Sequence, residues 1–97
     1  MNVTFADADL ERLETDPDFL GSFGQDVVRA YRRCMQLIRS AVDERDLYAF
    51  KSRRFELLKS RPGQHSLRLN DQWRLIVEIV KGNPKNTLRI IEIEDYH

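Results

Sequence analysis

The chain closes on Ile93-Glu94-Asp95-Tyr96-His97, a run that sets carboxylates, a phenol and an imidazole side by side. Histidine titrates near neutrality and can exchange a proton at physiological pH. Asp95 is suited to orient or stabilise an imidazolium, and Tyr96 to donate a hydrogen bond or stack on a base. The other chemically distinctive group is basic: Lys51, Arg53, Arg54, Lys59, Arg61, Arg68 and Arg74. Cleaving RNA without a metal requires a base for the 2′-hydroxyl proton, cations for the developing phosphorane charge, and an acid for the leaving oxygen. The tail and the basic cluster contain residue types for each role. They equally fit a blander reading, since polar chain ends often fray and charge runs are usually solvated faces.

Other chemistries find little support. His65 is the only other histidine and Cys34 the only cysteine. Their spacing matches no zinc site, so neither a metal nor a cofactor is expected. The chain has no glycine-rich phosphate loop and no G-x-S-x-G elbow. A lone cysteine rules out an internal disulfide framework and suits a reducing cytoplasm. No apolar run approaches the roughly 20 residues of a membrane span, and the N-terminus lacks a signal pattern.

The residues with chemistry must be positioned by strands. Ser66, Arg68 and Asn70 alternate with Leu67 and Leu69, the period of a half-buried strand. Asn70-Asp71-Gln72 is a turn, after which Trp73, Leu75, Val77 and Ile79 fall on one face and Arg74, Ile76 and Glu78 on the other. This hairpin allows Arg68 and Arg74 to project from one sheet face. Pro62-Gly63 turns the chain into the hairpin, and Lys81 through Asn86 turn it out. The last strand carries Leu88, Ile90, Ile91 and Ile93, apolar in both phases, which predicts an internal strand covered on both sides.

Ahead of these lie a short strand at Asn2–Phe5 and a short helix capped by Asp7 or Asp9, running to about Glu14. Asp16-Pro17 stops that helix. From Asp26 to about Val42 the apolar residues recur at three- and four-residue spacings, which predicts a strongly amphipathic helix with Cys34 on its buried side. A short helix and then an extended segment are expected around Leu47–Phe55. The 97 residues therefore predict one α+β domain, its N-terminal helices packed on a small, mainly antiparallel sheet.

Net charge is zero, but it is unevenly spread. Residues 1–28 hold seven acids and one base, whereas residues 29–74 hold twelve bases and five acids. A basic middle suggests a polyanion-facing surface on an otherwise neutral domain.

Lys59 through Arg74, with the terminal Ile-Glu-Asp-Tyr-His, resembles the HigB toxins of the RelE/ParE superfamily. Their pattern runs L-K-G-[DN]-[RL]-x-G-x-[WYH]-S-[IVL]-R-[IVL]-N-x-[QN]-[WY]-R-[IL] and ends in E-I-x-D-Y-H. The resemblance covers the second half of the chain, with the N-terminal helices similar in length and order. It implies a compact RelE-like fold and a cytoplasmic, ribosome-dependent mRNA endonuclease that blocks translation without a cofactor. The implied partners are the ribosome, its mRNA and a HigA-like helix-turn-helix antitoxin. Lys59 falls on the lysine of the pattern, Arg74 on the strand arginine, Arg68 on a further basic position, and Asp95, Tyr96 and His97 on the terminal catalytic group. Arg53, Arg54, Arg61 and Arg68 are expected to bind the RNA backbone. One branch of that family has a histidine where this chain has Glu56, and Ser60 replaces a glycine. The general base therefore stays open between Glu56 and His97. The alternative is a non-catalytic module of the same fold that inhibits a protein target or only pairs with an antitoxin.

Overall fold

The computed structural model describes residues 1–96. Among them, five strands form one sheet in the order β1-β5-β4-β3-β2. The strands are β1 (Asn2–Phe5), β2 (Glu56–Leu57), β3 (Gln64–Arg68), β4 (Trp73–Val80) and β5 (Thr87–Asp95). β1 runs parallel to β5, and every other neighbouring pair is antiparallel. Two helices, α1 (Ala8–Thr15) and α2 (Gln25–Ser40), supply the buried residues Leu10, Leu13, Val28, Tyr31, Met35 and Ile38. These share one core with Leu67, Leu75, Val77, Leu88 and Ile90 of the sheet. The expected α+β architecture is the one found.

Local chemistry explains where the helices begin and end. Asp7 caps α1, its Oδ1 accepting from the backbone N–H groups of Asp9 at 2.9 Å and Leu10 at 3.1 Å. At the other end Asp16 turns extended before Pro17. Arg32 of α2 takes up the open Leu13 carbonyl of the last turn and ties down the loop beyond it, donating to Leu13 O and Asp16 O at 2.9 Å and to Phe19 O at 3.2 Å. Arg32 thus belongs to the fold and not to a solvated basic stripe.

α2 stops at Ser40, short of the expected Val42, which is 59% exposed. Two aspartates compete with the helix there. Asp46 Oδ2 accepts from Val42 N at 2.8 Å, and Asp43 caps the 3-10 turn Glu44–Ala49 that follows. Cys34 is fully buried, and burial pushes its thiol up to about 11. It packs, as expected, and has no reactive character.

The last strand corrects one expectation. β5 is internal, between β1 and β4, but its two-phase apolar pattern does not come from cover on both faces. Ile93 pairs with Leu75 and Ile90 with Val77, with a register shift in between. That irregularity inserts one residue and changes the phase. Leu88, Ile90 and Ile93 therefore all reach the same core.

On β3, His65 stacks on Phe55 with centroids 4.6 Å apart and planes 9° from parallel. Its Nδ1 is buried without a hydrogen-bond partner among the described residues. Burial lowers the imidazole's affinity for a proton. A depressed folded-state value gives stability that is complete above histidine's ordinary pKa of about 6.5 and is lost as the pH falls below it. The melting temperature should therefore decline from pH 7.5 to pH 5.5. His65→Leu should lose that part of the slope, which thermal melts across the range would measure.

Candidate functional site

The face of the sheet turned away from the helices carries the polar residues, and strand register decides which ones meet. Arg68 pairs with Arg74, and Arg74 with Glu94 on its other side. The next row on the same face runs Glu56, Ser66, Ile76, Glu92. Directly opposed residues in a sheet project to the same side, so these two rows make one surface. Leu67, Leu75 and Ile93, in the alternate phase between them, are buried in the core.

The β3–β4 turn is built by Asn70. Its Oδ1 accepts from Gln72 N and Trp73 N, both at 2.9 Å, which makes the predicted side-chain-stabilised turn. The same turn holds the end of the chain. Tyr96 N donates to Gln72 O at 3.1 Å, and its hydroxyl donates to Asn70 O at 3.1 Å. So fastened, the ring of Tyr96 lies 5.5 Å from the Arg74 guanidinium, within cation–π range.

Arg54, Glu56, Ser66, Arg68, Arg74 and Tyr96 enclose a pocket of about 110 Å³, room for several waters. Arg54 enters from a left-handed backbone conformation, φ 46°, just before β2. Glu56 makes no hydrogen bond or ion pair among the described residues, so it is not tied up by Arg53, Arg54 or Lys59 nearby in sequence. The larger recess beside β1, about 370 Å³, is lined by Asp7, Glu11 and apolar or neutral residues with no cation. It offers nothing to an anion.

The other expected site residues lie elsewhere. Arg53 is half-buried and donates through Nη1 to Arg68 O at 3.1 Å and Leu69 O at 3.2 Å, which ties the preceding turn to the end of β3. Lys59 sits exposed in the turn between β2 and β3, outside the pocket lining. Arg61 is bound to Glu94, and Arg68 is bridged to Asp71, which is 96% exposed. Asp95 pairs with Trp73, in the phase opposite to Arg74, and accepts from Gln72 Nε2 at 2.8 Å. His97 lies outside the described residues.

Sequence reasoning missed Glu94 and Ser66. Ser66 is buried against the pocket, and its only signal is that it shares Arg68's phase on β3. Glu94 binds Arg74 Nε through Oε2 at 2.7 Å and Arg61 through Oε1. The hydrogen bond from Arg61, then that from Arg74, holds its carboxyl below the usual carboxylate range, outweighing burial.

No family model matches the chain, and no curated protein matches it in sequence. Among solved structures, the fold is similar to that of a YoeB/ParE toxin from Agrobacterium tumefaciens, with a TM-score of 0.57. That likeness covers 100% of both chains at 13% identity, so the two share an architecture.

The arginine-held carboxylate has a consequence for acid stability. A depressed folded-state pKa stabilises the fold above the unfolded carboxylate value, and the gain disappears as pH falls through the folded one. Glu94→Gln should therefore flatten the loss of melting temperature below about pH 4.5. Wild-type and variant melts between pH 3 and pH 7 would check this.

Proposed function

We propose that the chain is the toxin of a type II toxin–antitoxin pair and acts as a cytoplasmic, ribosome-dependent mRNA endonuclease. The observation that carries this reading is the pocket in which Arg54, Arg68 and Arg74 converge with Tyr96 and Glu56 on one rigid sheet face. The toxin named for the structural neighbour supports it at the level of fold. The terminal Asp95-Tyr96-His97 matches a pattern that a mere binding module has no evident need for.

In this mechanism Arg68 and Arg74 bind the scissile phosphate, with Arg54 at the pocket edge. Charge-assisted contacts from arginine suit the phosphorane, whose negative charge grows in the transition state. Tyr96 stacks on or beside the neighbouring base. A base removes the 2′-hydroxyl proton, and the freed oxygen attacks phosphorus. The P–O5′ bond then breaks, leaving a 2′,3′-cyclic phosphate, while an acid protonates the departing 5′ oxygen. Glu56 lines the pocket and is free of ion pairs among the described residues, so it is assigned the base. His97 is assigned the acid. Asp95, held by Gln72, supports the tail, and Lys59 meets the RNA backbone as it approaches. Arg53 and Arg61 act on the RNA only through the residues they hold. Its partners are the ribosome, mRNA and a HigA-like helix-turn-helix antitoxin.

A second reading draws on Leu57 and Tyr48, large apolar side chains 59% and 56% exposed beside the Phe55–His65 stack. They suit a protein partner, and a non-catalytic module would use that surface alone. Induction in a host cell separates the two. The wild-type chain should arrest growth and translation, and folded Arg74→Ala and His97→Ala should not. Equal toxicity of all three would leave the protein-binding reading standing.

The base is tested separately. Glu56→Gln keeps the side chain's size and removes its charge. Single-turnover cleavage of ribosome-bound mRNA should slow by roughly 10²–10⁴-fold with the melting temperature unchanged. Cleavage near the wild-type rate would move proton abstraction to His97.

A further inference from the structure

The two arginines at the pocket have different acidic partners. Arg68 is bridged to Asp71, a fully solvated carboxylate that an incoming anion can displace at little cost. Arg74 is bound to Glu94, whose side chain is 20% exposed and is also held by Arg61. An anion would not easily displace that carboxylate. Displacing it is also unnecessary, because Glu94 takes only the Nε–H of Arg74. Among the described residues, the two terminal nitrogens of the Arg74 guanidinium have no hydrogen-bond partner.

A guanidinium offers two edges for a fork-like contact, and the edge formed by both terminal nitrogens fits a phosphate. Unrestrained, the group would rotate and could present either edge. Glu94 fixes one side, and Tyr96 lies 5.5 Å from the same group. The charge balance also favours an anion. A single Arg74–Glu94 pair would be neutral, whereas Arg61, Glu94 and Arg74 together carry one net positive charge.

We propose that Glu94 is a positioning residue that aims Arg74 at a phosphodiester, with Arg61 serving as its brace and not as a phosphate ligand. This rests on the reading that the pocket binds an RNA phosphate. It gives Glu94 a role opposite to the one its charge suggests: removing an acid beside the site weakens the binding of a polyanion.

The test is a double-mutant cycle on affinity for a fluorescently labelled single-stranded oligoribonucleotide, 2′-O-methylated so that it cannot be cleaved. Arg74→Ala should weaken binding by about tenfold or more, the usual loss of a charge-assisted contact. Glu94→Ala should weaken it by a comparable factor, and should add nothing in the Arg74→Ala background, since its whole effect passes through Arg74. Glu94→Leu, which also offers Arg74 Nε no acceptor, replaces Glu94→Ala in the same cycle if that variant fails to fold. Tighter or unchanged binding by the Glu94 variant overturns the proposal, as does a loss that adds fully to that of Arg74→Ala. If Arg74→Ala binds like the wild type, the phosphate-site reading itself falls and takes this inference with it. If only Glu94 proves silent, the phosphate site stands without it.

Discussion

The register of β4 between β3 and β5 is the constraint on which the rest of the molecule depends. One alignment puts Leu67, Leu75 and Ile93 into the core and Arg68, Arg74 and Glu94 onto the opposite face. A slip of β4 by one residue would turn that strand over, burying Arg74 and Glu78 and exposing Leu75, Val77 and Ile79. Burying unpaired charge costs several kcal/mol per group, and each exposed leucine or isoleucine forfeits about 1.5–3 kcal/mol. The hydrophobic core therefore selects the site geometry. No attraction between the polar groups is needed to assemble them.

That core is also what allows like charges to face each other. Arg68 and Arg74 are direct cross-strand neighbours, an arrangement that is unfavourable by itself. Each is compensated laterally, Arg68 by Asp71 and Arg74 by Glu94. The compensation is incomplete because Glu94 is shared with Arg61 and Arg54 has no acidic partner among the described residues. A rigid sheet thus retains an excess of positive charge at one spot, which flexible side chains would have relaxed by moving apart.

Much of this was legible in the sequence, and the parts that were not have a common cause. The β3–β4 hairpin, its Asn70 turn, the cap at Asp7 and the buried stripe of α2 are local patterns. Each can be read within about ten residues because strand and helix periods act over that range. The two-phase apolar pattern of β5 misled because an inserted residue and two-sided burial leave the same trace in sequence. Glu94 is hidden in the sequence because its meaning depends on Arg74, twenty positions earlier, and on a register that only the folded sheet displays. Asp95 stands out in the sequence by its type, yet one step along a strand turns a side chain to the other face, and Gln72 holds it there.

The uneven charge of the chain shows why counting cations does not locate a site. Much of the basic middle is neutralised or spent on the fold. Arg39 forks onto Glu14 at 2.8 and 3.1 Å, Arg45 onto Asp43, and Arg32 and Arg53 onto backbone carbonyls. The acidic N-terminal stretch supplies one of those partners from α1, so the two halves of the charge distribution meet within the domain. What distinguishes the pocket is the manner in which its cations are held. Among the described residues, Arg74 is restrained on one edge and left with donors on the other, and Arg68 is paired only with a solvated acid. Two arginines in those states suit an anion better than a larger number committed to carbonyls, because the terminal donors of Arg74 are already oriented and Arg68 has only a solvated acid to give up.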